Sequence, residues 1–189
     1  METTEIINQA LETLKKGGII LYPTDTIWGI GCDATNEQAV RKVFEIKKRA
    51  DSKSLVLLAC DLDMVARYVK EIPSIAIDLV EVNDRPMTII YPQGQMIAPS
   101  AMAADGSVGI RIPMNDFCVE LVKKLRRPLV STSANVSGEP SPRCFKDIPQ
   151  SIKDAVDYIV PAALEAGSTG QASQILKVGL KGEIEIIRA

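Results

Sequence analysis

The sequence predicts an α/β (α+β) fold: one three-layer domain, residues 1–189, around a twisted, mixed β-sheet. Helical periodicity and short apolar strand patterns alternate along the whole chain, which is typical of mixed α/β folds. The chain has 189 residues, the length of one domain, and 46% of them are hydrophobic. No internal repeat, low-complexity tract or interdomain linker interrupts the pattern.

The first half of the chain is predicted to begin with a helix and to alternate afterwards. Helices are expected at Thr3–Lys16, from the cap Asn36 to Lys48, at Leu62–Val69 and at Ser74–Val82. Strands are expected at Ile19–Tyr22, Ile27–Cys32, Leu55–Ala59 and Met87–Tyr91. The glycines of the second strand allow another backbone to approach closely.

The spacing Gly29-x-Gly31-x-x-Ala34 formally matches a dinucleotide-binding fingerprint. That fingerprint requires a helix that opens on the glycines. Here Pro23 ends the preceding strand and the next helix is best capped at Asn36, so we reject a dinucleotide site.

The second half continues the alternation after a long loop, Pro92–Asp105, which we interpret as a mobile lid. Strands are expected at Ser107–Ile112, Pro128–Val130, Tyr158–Val160, Ser173–Val178 and Glu183–Arg188. Helices are expected from the cap Asn115 to Arg126 and at Ile148–Ala155.

Composition excludes several classes of site. The chain has no histidine, which removes Ser–His and Cys–His nucleophile pairs and every metal site that uses imidazole. Its four cysteines lack a C-x-x-C spacing and are expected to be reduced. No secretory leader and no bilayer-length apolar run is present, so we expect a cytoplasmic protein without a membrane partner.

The loop Ser131–Pro142 follows the predicted strand Pro128–Val130 and is rich in hydroxyls around one amide, Asn135. Such groups donate hydrogen bonds to phosphate or carboxylate oxygens, and open α/β sheets bind ligands where strands end. A cationic segment, residues 47–53, favours a phosphate clamp over simple compensation of a helix dipole. Arg111, inside an apolar strand, must be paired or must face a ligand.

Five motifs, in chain order, resemble those of the YrdC/Sua5 family. They are the opening at residues 22–34 (Tyr-Pro-Thr-Asp-Thr-Ile-Trp-Gly-Ile-Gly-Cys-Asp-Ala), the paired signatures Lys47-x-Arg49 and Ser133-x-Asn135, the strand at 108–113 and the loop at 131–142. The resemblance runs from the first helix to Arg188 and implies a YrdC-like fold of the short type.

The resemblance implies an L-threonylcarbamoyladenylate synthase. The substrates would be ATP, L-threonine and bicarbonate or CO2, and the products threonylcarbamoyl-AMP and pyrophosphate. Mg²⁺ would accompany the ATP, with no metal site built by the protein. The product would pass to tRNA threonylcarbamoyl-transfer proteins that modify adenosine 37 of tRNA.

Site residues are implied position by position. The resemblance assigns Thr26, Arg111, Ser131 and Ser173 to threonine. It assigns Arg49, Lys53, Ser107, Ser133, Asn135, Ser141 and Arg188 to ATP. Lys47 and Arg49 are its catalytic pair. The family pattern is not complete, because Asp25 replaces the more frequent glutamate and Trp28 the more frequent tyrosine or phenylalanine.

Two alternatives stay open. A YciO-like relative would bind nucleotide and use another acceptor. An RNA-binding module, for double-stranded RNA, would use the 47–53 cations directly. A net charge of −2 and 4% aromatic residues argue against the RNA module.

Overall fold

The computed structural model describes residues 1–49 and 55–189. In those ranges the helices are α1 (Thr3–Lys15), α2 (Glu37–Lys47), α3 (Leu62–Tyr68), α4 (Ser74–Val82), α5 (Asp116–Leu125) and α6 (Gln150–Ala155). The strands are β1 (Ile20–Tyr22), β2 (Gly29–Gly31), β3 (Val56–Leu58), β4 (Met87–Tyr91), β5 (Val108–Arg111), β6 (Leu129–Val130), β7 (Thr132–Ser133), β8 (Tyr158–Ile159), β9 (Gln174–Val178) and β10 (Ile184–Arg188). Short 3₁₀ helices lie at Pro99–Ala101, Phe145–Asp147 and Ala162–Glu165.

The mixed α/β fold class is confirmed, but the strands divide into two mixed sheets. The small sheet has the order β7-β2-β1-β8 and the large sheet the order β10-β9-β4-β5-β3-β6. In the large sheet β3 lies parallel to β5, and β4 lies antiparallel to β5 and parallel to β9. In the small sheet β1 is antiparallel to β2 and parallel to β8.

The two sheets meet at one residue, Ser131, which alone separates β6 from β7. Val130 of β6 is paired with Leu57 of the large sheet, and Thr132 of β7 with Ile30 of the small sheet. The chain therefore crosses from one sheet to the other at the start of the hydroxyl-rich loop. The sequence did not predict β7, because two polar residues carry no strand periodicity.

The close backbone approach expected at the β2 glycines is confirmed. A Cβ on Gly31 would lie 2.6 Å from both the Tyr22 ring and the Val130 carbonyl oxygen. The Tyr22 hydroxyl donates to that same carbonyl at 2.9 Å. Because Gly29 and Gly31 lie in a strand and open no helix, rejection of the dinucleotide fingerprint is also confirmed.

The predicted helix caps form as local chemistry requires. The side-chain oxygens of Asn36, Asp61 and Asn115 accept hydrogen bonds from backbone N–H groups three residues ahead, at 3.1, 2.7 and 3.3 Å. Each bond satisfies one of the donors that a helix start leaves unpaired. The four cysteines are free, as expected.

The long loop 92–105 does not cover the cavity described below, and none of its residues lines that cavity. It packs on the protein body, where Ile97, Ala98 and Ala101 are buried and the Ala98 N–H donates to the Ala34 carbonyl at 2.9 Å. The loop is therefore not placed as the lid that its length suggested, because its apolar side chains pack against the protein body. Among the described residues, no helix is both long and apolar enough to cross a membrane.

Candidate active site

A cavity of about 350 Å³ lies along the junction of the two sheets. Strands of both sheets reach it, since β2 and β7 contribute from the small sheet and β3, β4, β5, β9 and β10 from the large one. The predicted site residues that line it are Thr26, Arg49, Arg111, Ser131, Ser133, Ser141, Ser173 and Arg188. Residues from both halves of the chain thus converge on one space.

One part of the cavity, which we call the buried end, is built on Arg111. Its guanidinium donates to the Asp25 carboxylate at 2.5 Å and to the Thr26 hydroxyl at 3.3 Å. The other Asp25 oxygen accepts from the Met114 N–H at 3.0 Å. Arg111, Asp25 and Thr26 are all buried. The arginine is thus paired, which is one of the two alternatives inferred from its apolar strand, and it also lines the cavity.

The buried end also contains a pair of hydroxyls, one from β4 and one from the residue that precedes β9. Thr88 of β4 and Ser173 share a hydrogen bond of 2.8 Å and are both buried. Arg188 donates to the Ser173 carbonyl at 2.8 Å. Parallel pairing of β4 with β9 places these groups side by side. The buried end therefore presents a guanidinium and hydroxyls on a hydrogen-bonded frame, a set suited to a small anionic, hydroxylated ligand.

The paired Lys47-x-Arg49 and Ser133-x-Asn135 motifs meet through the Lys47 ammonium. Its Nζ lies 2.5 Å from the Ser133 carbonyl oxygen, 2.8 Å from the Asn135 carbonyl oxygen and 3.1 Å from Asn135 Oδ1. Asn135 in turn donates from its amide to the Glu139 carbonyl at 2.6 Å. Lys47 and Asn135 are buried and do not line the cavity, so they hold the loop from behind.

The other part of the cavity, the open end, consists of Arg49, Ser133, Ser141 and Arg188. Arg49 and Ser133 are half-buried, whereas Ser141 and Arg188 are exposed. Two guanidiniums and two hydroxyls on a surface-facing rim are groups that bind phosphate oxygens.

Burial changes the pKa of the cations around the open end. Loss of hydration, aided by the nearby Arg49 charge, lowers the pKa of Lys47 to about 8. Burial also lowers the pKa of both Arg49 and Arg188. At neutral pH Lys47 keeps its proton, as three close oxygen acceptors require of an ammonium group.

Two predicted ATP residues in the described structure, Asn135 and Ser107, do not line the cavity, and neither does the predicted catalytic Lys47. Ser107 is buried, donates to the Asp105 carboxylate at 2.6 Å and does not line the cavity. Its hydroxyl stabilises the turn before β5. Lys53 lies outside the described residues, so its predicted role stays a prediction.

Sequence reasoning missed three residues that shape the cavity. Thr88 lines it directly, and a polar residue inside the apolar strand Met87–Tyr91 was the available signal. Asp25 was predicted neither as a site residue nor as the partner of Arg111, although the buried Arg111 needed a carboxylate partner. Glu165 contacts the cavity-lining Trp28 from a segment 137 residues away, and no sequence signal marked it.

The comparisons with known proteins agree with these motifs. The family model Sua5/YciO/YrdC, described as "Telomere recombination", matches residues 12–189. This chain belongs to the Sua5/YciO/YrdC family. The threonylcarbamoyl-AMP synthase of Hahella chejuensis is 31% identical over 159 residues, 84% of this chain and 86% of that protein. That of Stenotrophomonas maltophilia is 32% identical over 172 residues, 89% and 91% of the two chains.

Solved structures share the fold of this family member. Sua5 of P. abyssi, in complex with L-threonine, has a TM-score of 0.82 and 24% identity, covering 94% of this chain and 52% of that one. YciO of E. coli has a TM-score of 0.77 and 23% identity, covering 97% and 88%. The chain thus spans about half of the Sua5 structure and most of YciO, and both likenesses show the fold.

Proposed function

We propose that this chain is a threonylcarbamoyl-AMP synthase, which joins L-threonine, bicarbonate or CO2 and ATP into threonylcarbamoyl-AMP and pyrophosphate. The observation that supports this most is one cavity with two different ends. Arg111 is already paired with Asp25 at the buried end, and two arginines line the open end. Relatives of near-equal length that are named threonylcarbamoyl-AMP synthases support the assignment.

L-threonine occupies the buried end in this proposal. Its carboxylate faces the Arg111 guanidinium. The orientation of that guanidinium is fixed by its ion pair with Asp25, in which Nη1 lies 2.5 Å from Oδ1. Its hydroxyl finds donors and acceptors in Thr26, Ser131 and Ser173. Since the cavity floor is buried and hydrogen-bonded before ligand arrives, little ordering cost falls on binding.

ATP occupies the open end, with its phosphates against Arg49 and Arg188 and the hydroxyls of Ser133 and Ser141. The threonine amine and bicarbonate form a carbamate with loss of water. A carbamate oxygen then attacks the α-phosphorus, and the bond from that phosphorus to the pyrophosphate oxygen breaks. Such a step joins two anions, so it needs aligned cations more than an acid–base pair. A chain without histidine can supply that arrangement.

The nucleotide substrate is the magnesium complex of ATP. The residues lining the cavity carry hydroxyls and guanidiniums but no carboxylate in the described part of the chain. Mg²⁺ prefers oxygen ligands and commonly keeps substrate phosphates among them. The ion therefore enters and leaves with ATP. Lys47 does not contact the ATP in this proposal but holds the Ser133-x-Asn135 loop from behind.

Threonylcarbamoyl-AMP is a mixed anhydride that must pass to an acceptor before water hydrolyses it. Proteins that transfer the threonylcarbamoyl group to adenosine 37 of tRNA fit that need, and we place the chain with them in the cytoplasm. Direct binding of RNA is not needed for the first step.

Mass spectrometry of the reaction tests the proposal. The protein is mixed with Mg·ATP and bicarbonate, with and without L-threonine, beside an authentic synthase. We expect threonylcarbamoyl-AMP and pyrophosphate only when threonine is present. Arg49→Ala should abolish product, whereas Asp154→Asn, on the exposed face of α6, should leave the rate unchanged.

A different outcome would identify a different family member. ATP binding without product, while the authentic synthase works, contradicts the proposal and favours a YciO-like activity on another acceptor. RNA binding that weakens steeply with salt, without threonine-dependent product, favours the RNA-binding alternative.

A further inference from the structure

One carboxylate behind the cavity wall joins three separate chain segments. The Trp28 indole N–H and the Phe145 backbone N–H both donate to Glu165 Oε2, the latter at 2.6 Å. Glu165 ends the 3₁₀ helix Ala162–Glu165, and Phe145 begins the 3₁₀ helix Phe145–Asp147. Segments far apart in sequence therefore depend on one oxygen.

Ring packing joins two of these segments, those of Trp28 and Phe145, to each other and to α6. The Trp28 and Phe145 rings lie 5.0 Å apart between centroids, tilted by 48°. Lys153 of α6 places its ammonium 4.3 Å from the Phe145 centroid. Trp28 is 1% exposed, and a buried indole N–H requires an acceptor. Glu165 supplies that acceptor, so stacking and hydrogen bonding together set the orientation of the ring.

The cavity depends on both partners of Glu165. Trp28 lines it directly. Ser141 lines its open end from an exposed stretch, residues 137–141, that ends four residues before Phe145. The bond from Phe145 to Glu165 anchors the chain just beyond that stretch, and the bond from Trp28 to Glu165 anchors a second residue that lines the cavity.

We infer that Glu165 is a positioning residue for the nucleotide: it holds Trp28 and the Ser141 stretch at the spacing that the open end needs. It touches neither substrate. The inference rests on the proposed function for the identity of the nucleotide, but its geometric part is independent of catalysis. A glutamine can replace Glu165, because an amide oxygen accepts the same two hydrogen bonds, whereas a leucine cannot.

The first test uses Trp28, the single tryptophan of the chain, as its own probe. Acrylamide quenching of ligand-free protein is compared in wild type, Glu165→Gln, Glu165→Leu and a charge-loss control, Asp154→Leu. We expect quenching to rise about threefold in Glu165→Leu alone, because a freed indole N–H turns toward water. Unchanged quenching in Glu165→Leu, with far-UV circular dichroism as in wild type, overturns the inference.

The second test measures the Kd for Mg·ATP from Trp28 fluorescence, and the KM values where product forms. Glu165→Leu should raise the Kd and KM for Mg·ATP about tenfold and leave the KM for threonine and kcat within about twofold. Glu165→Gln should match wild type. Equal losses in the glutamine and leucine variants, or a rise confined to threonine, overturn the inference.

Failure of the proposed function gives a separate result. If wild type binds Mg·ATP but makes no product, the synthase assignment is wrong and the Kd comparison still decides the role of Glu165. If Glu165→Leu does not fold, Trp28→Phe removes the indole donor together with the five-membered ring and keeps a phenyl ring. Its Kd for Mg·ATP, measured by calorimetry, should rise about threefold, and an unchanged Kd overturns the inference.

Discussion

The two ends of the cavity are built differently. At the buried end, Arg111, Thr26 and Ser173 are all buried and each has a hydrogen-bond partner in the ligand-free protein. At the open end, Ser141 and Arg188 are exposed. One end is a fixed frame, whereas the other is a rim supported from behind by Lys47 and Glu165.

The difference matches the two ligands proposed for them. A small amino acid offers few contacts, so selectivity has to come from groups whose positions are already fixed. A nucleotide brings several charges and a large surface, which exposed side chains can follow. Mutations at the buried end should therefore cost folding stability and threonine binding together. Mutations at the open end should affect ATP alone.

The largest effect is expected from breaking the buried ion pair. Asp25→Ala leaves the Arg111 charge without its carboxylate and should lower the free energy of unfolding by about 3–5 kcal/mol. Threonine-dependent activity should fall below detection. Urea unfolding monitored by circular dichroism gives the stability. Asp25→Glu keeps the charge and is the matched control; equal losses in both variants would contradict the pairing argument.

The next effect concerns the support behind the open end. Lys47→Met removes the ammonium that three oxygens surround and should raise the KM for Mg·ATP at least about tenfold, since a charged hydrogen bond contributes about 1.5–3 kcal/mol. The KM for threonine should stay near that of wild type. Steady-state kinetics at fixed saturating co-substrate measures both. An equal rise in the two KM values would contradict the separation of the ends.

Because the pKa of Lys47 is lowered, we also expect stability and ATP affinity to depend on pH. Its folded-state pKa of about 8 lies below its unfolded value of about 10.4, so the unfolded chain holds more protons between these limits. The Lys47 contribution to unfolding free energy should therefore increase with pH in that window. Affinity for Mg·ATP should decrease above pH 8, because a neutral amine holds the loop less firmly.

Comparison of wild type with Lys47→Met from pH 7 to about 9.5 isolates this effect from other titrating groups. As the pH rises, the affinity for Mg·ATP measured by calorimetry should fall in wild type relative to Lys47→Met. Over the same range, the free energy of unfolding measured in urea should rise in wild type relative to the variant. Parallel behaviour of the two proteins would show that Lys47 does not titrate near 8.

A smaller, one-sided effect is expected at the buried hydroxyl pair. Thr88→Val keeps the side-chain shape but removes the hydrogen bond to Ser173, which should cost about 1 kcal/mol of stability. The KM for threonine should rise severalfold while that for Mg·ATP stays constant. Thr88→Ser keeps the hydroxyl and should leave the KM for threonine as in wild type. No change in either constant would remove Thr88 from the site.

The smallest effects are expected at Ser141 and Ser107, two serines that the resemblance assigns to ATP. Ser141→Ala should raise the KM for Mg·ATP about threefold without a change in stability, because its hydroxyl is exposed. Ser107→Ala should leave both KM values unchanged, because its hydroxyl faces Asp105. A rise in ATP KM for Ser107→Ala would instead support its predicted ATP role.

Local features of the fold could be predicted from sequence. Asn36 and Asn115 cap helices through hydrogen bonds that span three residues. The nearby sequence is therefore enough to predict these caps. The need of Arg111 for a partner followed from its apolar strand. The motif resemblance supplied eight of the residues that line the cavity: Thr26, Arg49, Arg111, Ser131, Ser133, Ser141, Ser173 and Arg188.

Long-range geometry could not be predicted in the same way. Division into two sheets depends on pairing between β6 and β3 and between β7 and β2, which no local pattern encodes. Glu165 meets Trp28 across 137 residues, and Thr88 meets Ser173 across 85. These contacts arise only when the fold brings distant segments together.

Threonine binding to the nucleotide-free protein tests the contrast between the ends most directly. Isothermal titration of wild type with L-threonine, without ATP, should show saturable binding, and Thr88→Val should weaken it severalfold. Ser141→Ala should bind threonine as wild type does. Threonine binding that appears only after Mg·ATP is added would contradict a preformed buried end.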